Sequence, residues 1–249
     1  MPLNPPLSRR EWFALAGVVA LIAIWFFLPV IRQPQEYHNF ADARSWLGIP
    51  HAADVLSNLP FIVVGVIGLW QLRRGSRPLS RAVSTSLHFI FIGFFLTGFG
   101  SGYYHWDPND ARLGWDRLPM TIAFSGVMGA LFALRVSERS GWAMLVFMLI
   151  VGPASVIYWQ VTGNLSMYGE VQFGALAVLL GVLLGARNAE DPFPWWTLLG
   201  WYVLAKIFED ADAAIWRITS GLFAGHALKH LAAAAGGWML VRALAEKRR

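Results

Sequence analysis

The chain has 249 residues, of which 56% are hydrophobic and 14% are charged, and its mean hydropathy is +0.49. This composition excludes an ordinary soluble domain, which could not bury so much apolar surface, and favours a membrane protein. The net charge of +5 does not indicate nucleic-acid binding, because the Lys and Arg residues stand in short clusters between apolar runs. The absence of Cys excludes disulfides, thiolate metal sites and Cys nucleophiles.

Apolar runs of about 20 residues, the length needed to cross a bilayer, recur along the chain. We predict eight membrane-spanning helices near residues 12–31, 53–72, 84–104, 118–134, 142–161, 168–186, 195–210 and 222–244. The first run follows Arg9 and Arg10 as a signal peptide would, but it is long and no small-residue cleavage site follows cleanly. We interpret it as a retained helix. No repeat or soluble domain interrupts the series, so the sequence predicts an all-α, polytopic membrane helix bundle.

The basic residues predict the orientation of this bundle, because Lys and Arg accumulate on the cytoplasmic side of membrane proteins. One side of the predicted spans collects 13 of the 20 basic residues: Arg9, Arg10, Arg73, Arg74, Arg77, Arg81, Arg135, Arg139, Arg187, Arg242, Lys247, Arg248 and Arg249. The loops on the other side are more acidic. We therefore expect both termini in the cytoplasm and, in a bacterium, the acidic side in the periplasm at the inner membrane.

Five polar residues lie in segments that should be surrounded by hydrocarbon: Ser101, His105, Asp116, His226 and His230. Such residues are costly in a membrane and commonly mark functional sites. The predicted spans place all five at helix ends that face the acidic side. We therefore expect them to converge in one leaflet.

The histidine spacing is compatible with a metal site. His226 and His230 are four residues apart, which on an α-helix puts both imidazoles on one face, and His105 would supply a third ligand from another helix. Three imidazoles would leave a fourth position for water, the arrangement of catalytic zinc sites. The alternative is that each histidine only forms a hydrogen bond with a neighbour, and the two-histidine spacing alone does not exclude it.

Asp116 and Ser101 each have two interpretations. Asp116 stands just before the predicted fourth helix, with Pro119 in its first turn, where an Asp N-cap would be favourable. Next to a metal, the same carboxylate could act as a general base. Ser101 is one turn from His105 and could support the site, or it could bond back to its own backbone.

In this order, the motifs SNLPF, GSGYYH, DRLPM and GHALKH resemble those of the alkaline ceramidases and their bacterial relatives. These belong to a larger superfamily of seven-helix membrane hydrolases that includes the adiponectin receptors. The resemblance covers roughly residue 39 to the C-terminus. It implies a seven-helix core in residues 36–249, preceded in residues 1–35 by a cytoplasmic tail and one extra transmembrane helix.

The resemblance also implies an activity, a cofactor and roles for the five polar residues. The protein would be a zinc-dependent amidase that cleaves ceramide-like N-acyl sphingoid lipids to a sphingoid base and a fatty acid. By motif match, His105, His226 and His230 would hold Zn²⁺, Asp116 would activate water, and Ser101 would position the water or support the metal. The lipid substrate is then the expected partner.

Two features depart from the family pattern. Eukaryotic members carry an acidic calcium site before the first core helix, whereas the corresponding stretch here offers only Glu36, Asp42 and Asp54 as carboxylates, so we do not predict calcium. Lys229 stands where the last motif usually has an aromatic residue, a change that could alter the substrate entrance. Tyr168 could donate to the oxyanion or serve as a membrane-interface anchor.

Two other functions remain open. The chain could be a receptor-like protein that binds zinc without turnover. It could also be a transporter or a retinal-type pigment protein that uses Lys206 and the nearby carboxylates, although snorkelling or an i,i+4 pair with Asp210 explains this lysine more simply.

Overall fold

The computed structural model describes residues 6–75, 78–186, 188 and 190–246, and these residues form a bundle of helices without a β-strand. The predicted all-α membrane bundle is therefore confirmed. Residues 1–5 of the predicted N-terminal tail lie outside the described residues. So do five of the basic residues used to predict orientation: Arg77, Arg187, Lys247, Arg248 and Arg249.

Helices occur at all eight predicted positions. They are α1 (Arg9–Trp25), α2 (Ala52–Arg74), α3 (Arg81–Trp106), α4 (Asp110–Arg135), α5 (Glu138–Thr162), α6 (Ser166–Gly185), α7 (Trp195–Asp210) and α8 (Gly225–Ala245). A turn at Ser57 and Asn58 interrupts α2, and α6 contains a π-helical turn at Glu170–Gly174. A short helix, Asp212–Ile218, connects α7 to α8.

Two helix boundaries differ from the prediction. The fourth helix begins at Asp110, where the Asn109 side chain caps it by accepting a hydrogen bond of 3.0 Å from the Arg112 amide. Its first two turns are rich in polar residues, so hydropathy alone assigned them to a loop. The first helix ends at Trp25 although the apolar sequence continues, because Pro29 has no N–H to donate to the Trp25 carbonyl and its ring would clash with that group in a helix.

Five helical segments among the described residues are long and apolar enough to cross a membrane, namely α2, α3, α4, α5 and α6. The other three predicted spans are helical but fall short of that measure. The helices α1 and α7 have only 17 and 16 residues, and α8 carries two histidines and a lysine in its first two turns. Membrane crossing by these three helices stays a prediction.

Close packing of α3 against α4 positions part of the polar cluster. At Gly100 of α3, a Cβ atom would lie 2.2 Å from the Trp115 carbonyl oxygen of α4, so only glycine permits this approach. The next residue along α3 is Ser101, and the next along α4 is Asp116. The backbone contact therefore brings the serine and the carboxylate of the predicted site close together.

Candidate metal centre and active site

Three histidine side chains meet at one end of the bundle. His105 lies in the last turn of α3, and His226 and His230 lie in the first two turns of α8. One ring nitrogen from each histidine lies within 4.8 Å of the other two, and the ring centroids are 4.8–5.0 Å apart. The structure thus brings together the three ligands proposed from sequence, on one helix face and one facing helix.

The hydrogen bonding of these rings fits a metal site. His105 is fully buried, and neither of its ring nitrogens has a hydrogen-bond partner among the described residues; Nε2 of His230 has none either. Buried polar atoms are normally paired, and an unpaired one costs about 1–3 kcal/mol. A zinc ion accepts lone pairs from imidazole nitrogens, so a three-histidine donor set of this kind suits Zn²⁺.

Ser57, at the turn that interrupts α2, fixes the protonation of His230. Its hydroxyl donates to the Asp54 carbonyl oxygen at 3.0 Å and lies 2.7 Å from Nδ1 of His230. Since the hydroxyl has a single proton, Nδ1–H must donate to the serine oxygen. This tautomer leaves the Nε2 lone pair of His230 available as a ligand, as is usual for metal-binding histidines.

Lys229 contacts the same cluster from α8. Its ammonium group lies 3.0 Å from Nε2 of His226 and 2.9 Å from a carboxylate oxygen of Glu209. One lone pair cannot accept a lysine proton and bind a metal at the same time. Metal binding through Nε2 would therefore require Lys229 to rely on Glu209 alone.

Asp212 ties the start of α8 to the loop that follows the N-terminal helix. One carboxylate oxygen accepts a hydrogen bond of 2.8 Å from the His226 amide, and the other accepts one of 2.9 Å from the Ala41 amide. In the same loop, the Phe40 ring lies 4.7 Å from the His105 ring and 4.3 Å from the His226 ring, measured between centroids. Phe40 therefore covers two of the three imidazoles.

Gly225, the first residue of α8, packs closely against backbone atoms at the end of α7 and in the connection that follows, and this helps to position His226. A Cβ atom at Gly225 would lie 2.2 Å from the Phe208 carbonyl oxygen and 2.7 Å from the Asp212 Cα. The first turn of α8 can reach the end of α7 only without a side chain at this position.

Asp116 lies inside α4, in its second turn, and is buried. The interpretation of Asp116 as an N-cap is therefore wrong. The helix begins six residues earlier, at Asp110, and Asn109 is its N-cap. Ser101 is buried as well, and it lines the same cavity as Asp116. Its support of the site stays a prediction.

A cavity of about 230 Å³ extends from this polar end into the bundle. Ser101, Asp116 and His230 line its polar end, and most of its remaining lining is apolar and comes from α4, α6, α7 and α8. A narrow apolar channel that ends at imidazole and carboxylate groups suits a lipid chain attached to a polar reacting group.

The sequence matches the family model described as Ceramidase over residues 49–191, more than half of the chain. The chain belongs to the ceramidase family. The comparison with curated proteins gives no match. Ser101, His105 and Asp116 lie within the range matched to the ceramidase family, whereas His226 and His230 lie beyond it. The structure connects the two groups, because α8 packs its first turns beside the end of α3.

Membership of the ceramidase family supports, in general terms, a membrane hydrolase that acts on the amide bond of ceramide. The apolar helices agree with the membrane environment. The zinc requirement, the roles of single residues and the precise substrate go beyond what the family match carries.

The lysine singled out from sequence forms a different ion pair from the predicted one. Lys206 binds the Glu209 carboxylate at i,i+3 rather than Asp210 at i,i+4. Glu209 also accepts hydrogen bonds from Lys229 at 2.9 Å and from the Tyr37 hydroxyl at 3.0 Å. One carboxylate therefore holds two ammonium groups beside the cavity.

Two further residues considered from sequence, Tyr168 and Asp42, have clear structural surroundings. Tyr168 is buried and lines the cavity rather than facing the membrane interface, so the anchor interpretation is wrong. Both carboxylate oxygens of Asp42 accept hydrogen bonds from the Arg44 guanidinium, at 2.8 and 2.7 Å, and this lowers the pKa of Asp42.

Sequence patterns do not single out Phe40 or Asp212, and they assign no definite role to Ser57. All three act through contacts between a loop or turn and a distant helix. The only signal that could have found Ser57 is its position one turn after Asp54 on the same helix face.

Proposed function

We propose that this member of the ceramidase family is a zinc-dependent membrane amidase that cleaves ceramide-like N-acyl sphingoid lipids to a sphingoid base and a fatty acid. The observation that carries the proposal is the cluster of three buried histidines, with ring nitrogens within 4.8 Å of one another, at the cavity that Ser101 and Asp116 also line. Unpaired imidazole nitrogens and a carboxylate at the end of an apolar cavity suit amide hydrolysis better than a structural role.

His105, His226 and His230 would hold Zn²⁺, which, when bound, supplies Lewis-acid chemistry for attack on a carbonyl. Asp116 would accept a proton from the attacking water at a carboxylate oxygen and deliver it to the leaving amine nitrogen. Ser101 would donate to the carboxylate and fix its orientation. Phe40 would keep bulk water away from the imidazoles, and Tyr168 could donate its hydroxyl proton to the oxyanion.

The apolar part of the cavity would hold the acyl chain, and the polar end would hold the amide. This arrangement agrees with a substrate that enters from the membrane. We further propose the division into residues 1–35, with one extra transmembrane helix, and a seven-helix domain in residues 36–249. Both termini would be cytoplasmic and the metal site would face the periplasm of a bacterial inner membrane.

A receptor-like protein that binds zinc without turnover would use the same three histidines, so only turnover separates it from the hydrolase. A transporter or pigment protein based on Lys206 needs no zinc. Metal content and hydrolysis, measured together, therefore distinguish the three functions.

The test uses the full chain purified in detergent, with metal analysis and a panel of N-acyl sphingoid lipids. We expect about one zinc per chain in the wild type, loss of zinc in His226→Ala, and retained zinc with at least a 100-fold loss of fatty-acid release in Asp116→Ala. His88→Ala is the matched control, because His88 lies in α3 and bonds to the Ser84 carbonyl at 2.7 Å. It should keep zinc.

Absence of zinc from the wild type would refute the metal centre. Zinc without hydrolysis of any lipid in the panel would refute the amidase and leave the receptor-like function.

A further inference from the structure

Arg117 of α4 is a buried cation without a direct ion pair among the described residues. Its exposed fraction is 7%, and its side chain lines the same cavity as Asp116. One terminal nitrogen, Nη2, donates to the Gln33 amide oxygen at 2.7 Å, whereas the other, Nη1, is buried with no hydrogen-bond partner. A buried guanidinium group with an unused donor normally has an anion as its partner.

Aromatic rings surround this guanidinium group. Its central carbon lies 4.3 Å from the Trp159 ring centroid, 4.7 Å from that of Tyr168 and 5.8 Å from that of Tyr37. The π faces stabilise the positive charge but accept no strong hydrogen bond. The rings therefore explain how the cation is tolerated in this place, and they leave its Nη1 donor unused.

The cavity as a whole has a surplus of positive charge. Three cations line it, Arg117, Lys206 and Lys229, against two carboxylates, Asp116 and Glu209. Glu209 already holds both lysines. A neutral lipid would leave the surplus positive charge of the cavity uncompensated, whereas an anionic lipid could neutralise it and accept a hydrogen bond from Nη1 of Arg117.

A cation–π contact followed by hydrogen bonds connects Arg117 to the candidate metal centre. The Tyr37 ring beside Arg117 carries the hydroxyl that donates to Glu209, Glu209 binds Lys229, and Lys229 contacts His226. An anionic group at Arg117 would thus lie on the polar side of the reacting amide, away from the apolar channel that suits the acyl chain. That is the position of the headgroup rather than of the fatty acid.

We propose that Arg117 binds an anionic headgroup, so that the preferred substrate is an N-acyl lipid with an anionic group, such as a carboxylate, close to the amide nitrogen. The inference rests on the proposed amidase function and narrows the ceramide-like substrate to N-acyl lipids whose headgroup next to the amide nitrogen is anionic rather than neutral. Arginine presents several N–H donors in one plane, which matches the geometry of a carboxylate.

The test compares N-palmitoylserine with N-palmitoylserinol, two lipids that differ by a carboxylate in place of a hydroxymethyl group. Binding and hydrolysis are both measured on the full chain in detergent, so that binding reports on Arg117 even if turnover is absent. We expect the wild type to bind the carboxylate lipid about 10- to 100-fold more tightly, in line with hydrogen bonds to charged groups. The same preference should appear in kcat/KM.

Variants of Arg117 test whether its guanidinium group causes the preference for the carboxylate lipid. Arg117→Gln should reduce the ratio between the two lipids towards one, and Arg117→Lys should restore part of it. The matched control is Arg112→Gln, on the same helix, where the arginine pairs with Asp107 outside the cavity. It should leave the ratio unchanged.

Equal binding of the two lipids by the wild type would overturn the inference, and this result needs no variant. An unchanged ratio in a folded Arg117→Gln protein would overturn it as well. Palmitate serves as a competitor: if it displaces N-palmitoylserinol in an Arg117-dependent way while the carboxylate lipid has no advantage, the anion site belongs to the fatty-acid product and the headgroup assignment fails. Hydrolysis of neither of these lipids nor of any N-acyl sphingoid lipid in the panel, with preserved preference in binding, would refute the amidase alone.

Discussion

Replacement of Asp212 by asparagine should weaken zinc binding although it leaves all three proposed histidine ligands in the sequence. The Asp212 carboxylate joins the His226 amide, at 2.8 Å, to the Ala41 amide, at 2.9 Å. An asparagine keeps one carbonyl oxygen and turns the other atom into an NH₂ group, which cannot accept from an N–H. One of the two charge-assisted bonds is therefore lost, and the other becomes a bond to a neutral oxygen.

The magnitude follows from these bonds. A hydrogen bond to a charged group contributes about 1.5–3 kcal/mol, so the Asp212→Asn protein should lose about that much stability. For a chain of this size the loss lowers the unfolding midpoint by roughly 3–12 °C. Because the same carboxylate positions the first turn of α8, zinc affinity should also fall by about 10- to 100-fold, as it does when groups that orient metal ligands are removed.

The assay is thermal unfolding of the purified full chain, followed by Trp fluorescence, together with zinc competition titrations. Asp210→Asn is the matched control, since Asp210 is an exposed carboxylate at the end of α7. It should change neither quantity. The reasoning is refuted if Asp212→Asn unfolds and binds zinc like the wild type, or if Asp210→Asn shows equal losses.

Three further predictions test the support and the orientation of the site. Gly225→Ala should destabilise the chain by about 1–3 kcal/mol and weaken zinc binding, because its Cβ would meet backbone atoms; Gly181→Ala, which meets no atom within 4 Å, should do neither, and equal effects would contradict the packing argument. Ser57→Ala should lower zinc affinity about 10- to 100-fold by freeing the tautomer of His230, and unchanged affinity would dismiss that role. A reporter fused after Arg249 should read cytoplasmic, whereas a periplasmic signal would reverse the orientation.

The clustering of the three histidines could be predicted from sequence because their placement depends on local periodicity. The i,i+4 spacing of His226 and His230 fixes a shared face on any helix, and hydropathy located the ends of α3 and α8 closely enough to predict that His105 would lie nearby. Ser101 followed from the same logic, one helical turn before His105.

Other parts of the site depend on contacts that no local pattern encodes. The helix α4 begins right after Asn109, and its first two turns are polar. Hydropathy does not recognise polar turns as helix, so the sequence predicts a later start and makes Asp116 a possible N-cap. Phe40 and Asp212 act across long sequence separations, where only the assembled bundle decides which loop meets which helix. Lys206 pairs with Glu209 and not with the predicted Asp210. Spacing alone does not separate the two, because i,i+3 and i,i+4 positions are both neighbours on a helix.

The cavity runs along α8 from His230 to Leu240. Ten residues of α-helix rise about 15 Å, so the backbone of one helix sets the distance between His230 and the Leu240 end of the cavity. Trp195, at the opposite end of α7 from Glu209, lines the cavity and is buried. In the proposed amidase, the side chains at the Leu240 end would therefore select acyl-chain length at a distance from the groups that carry out the chemistry.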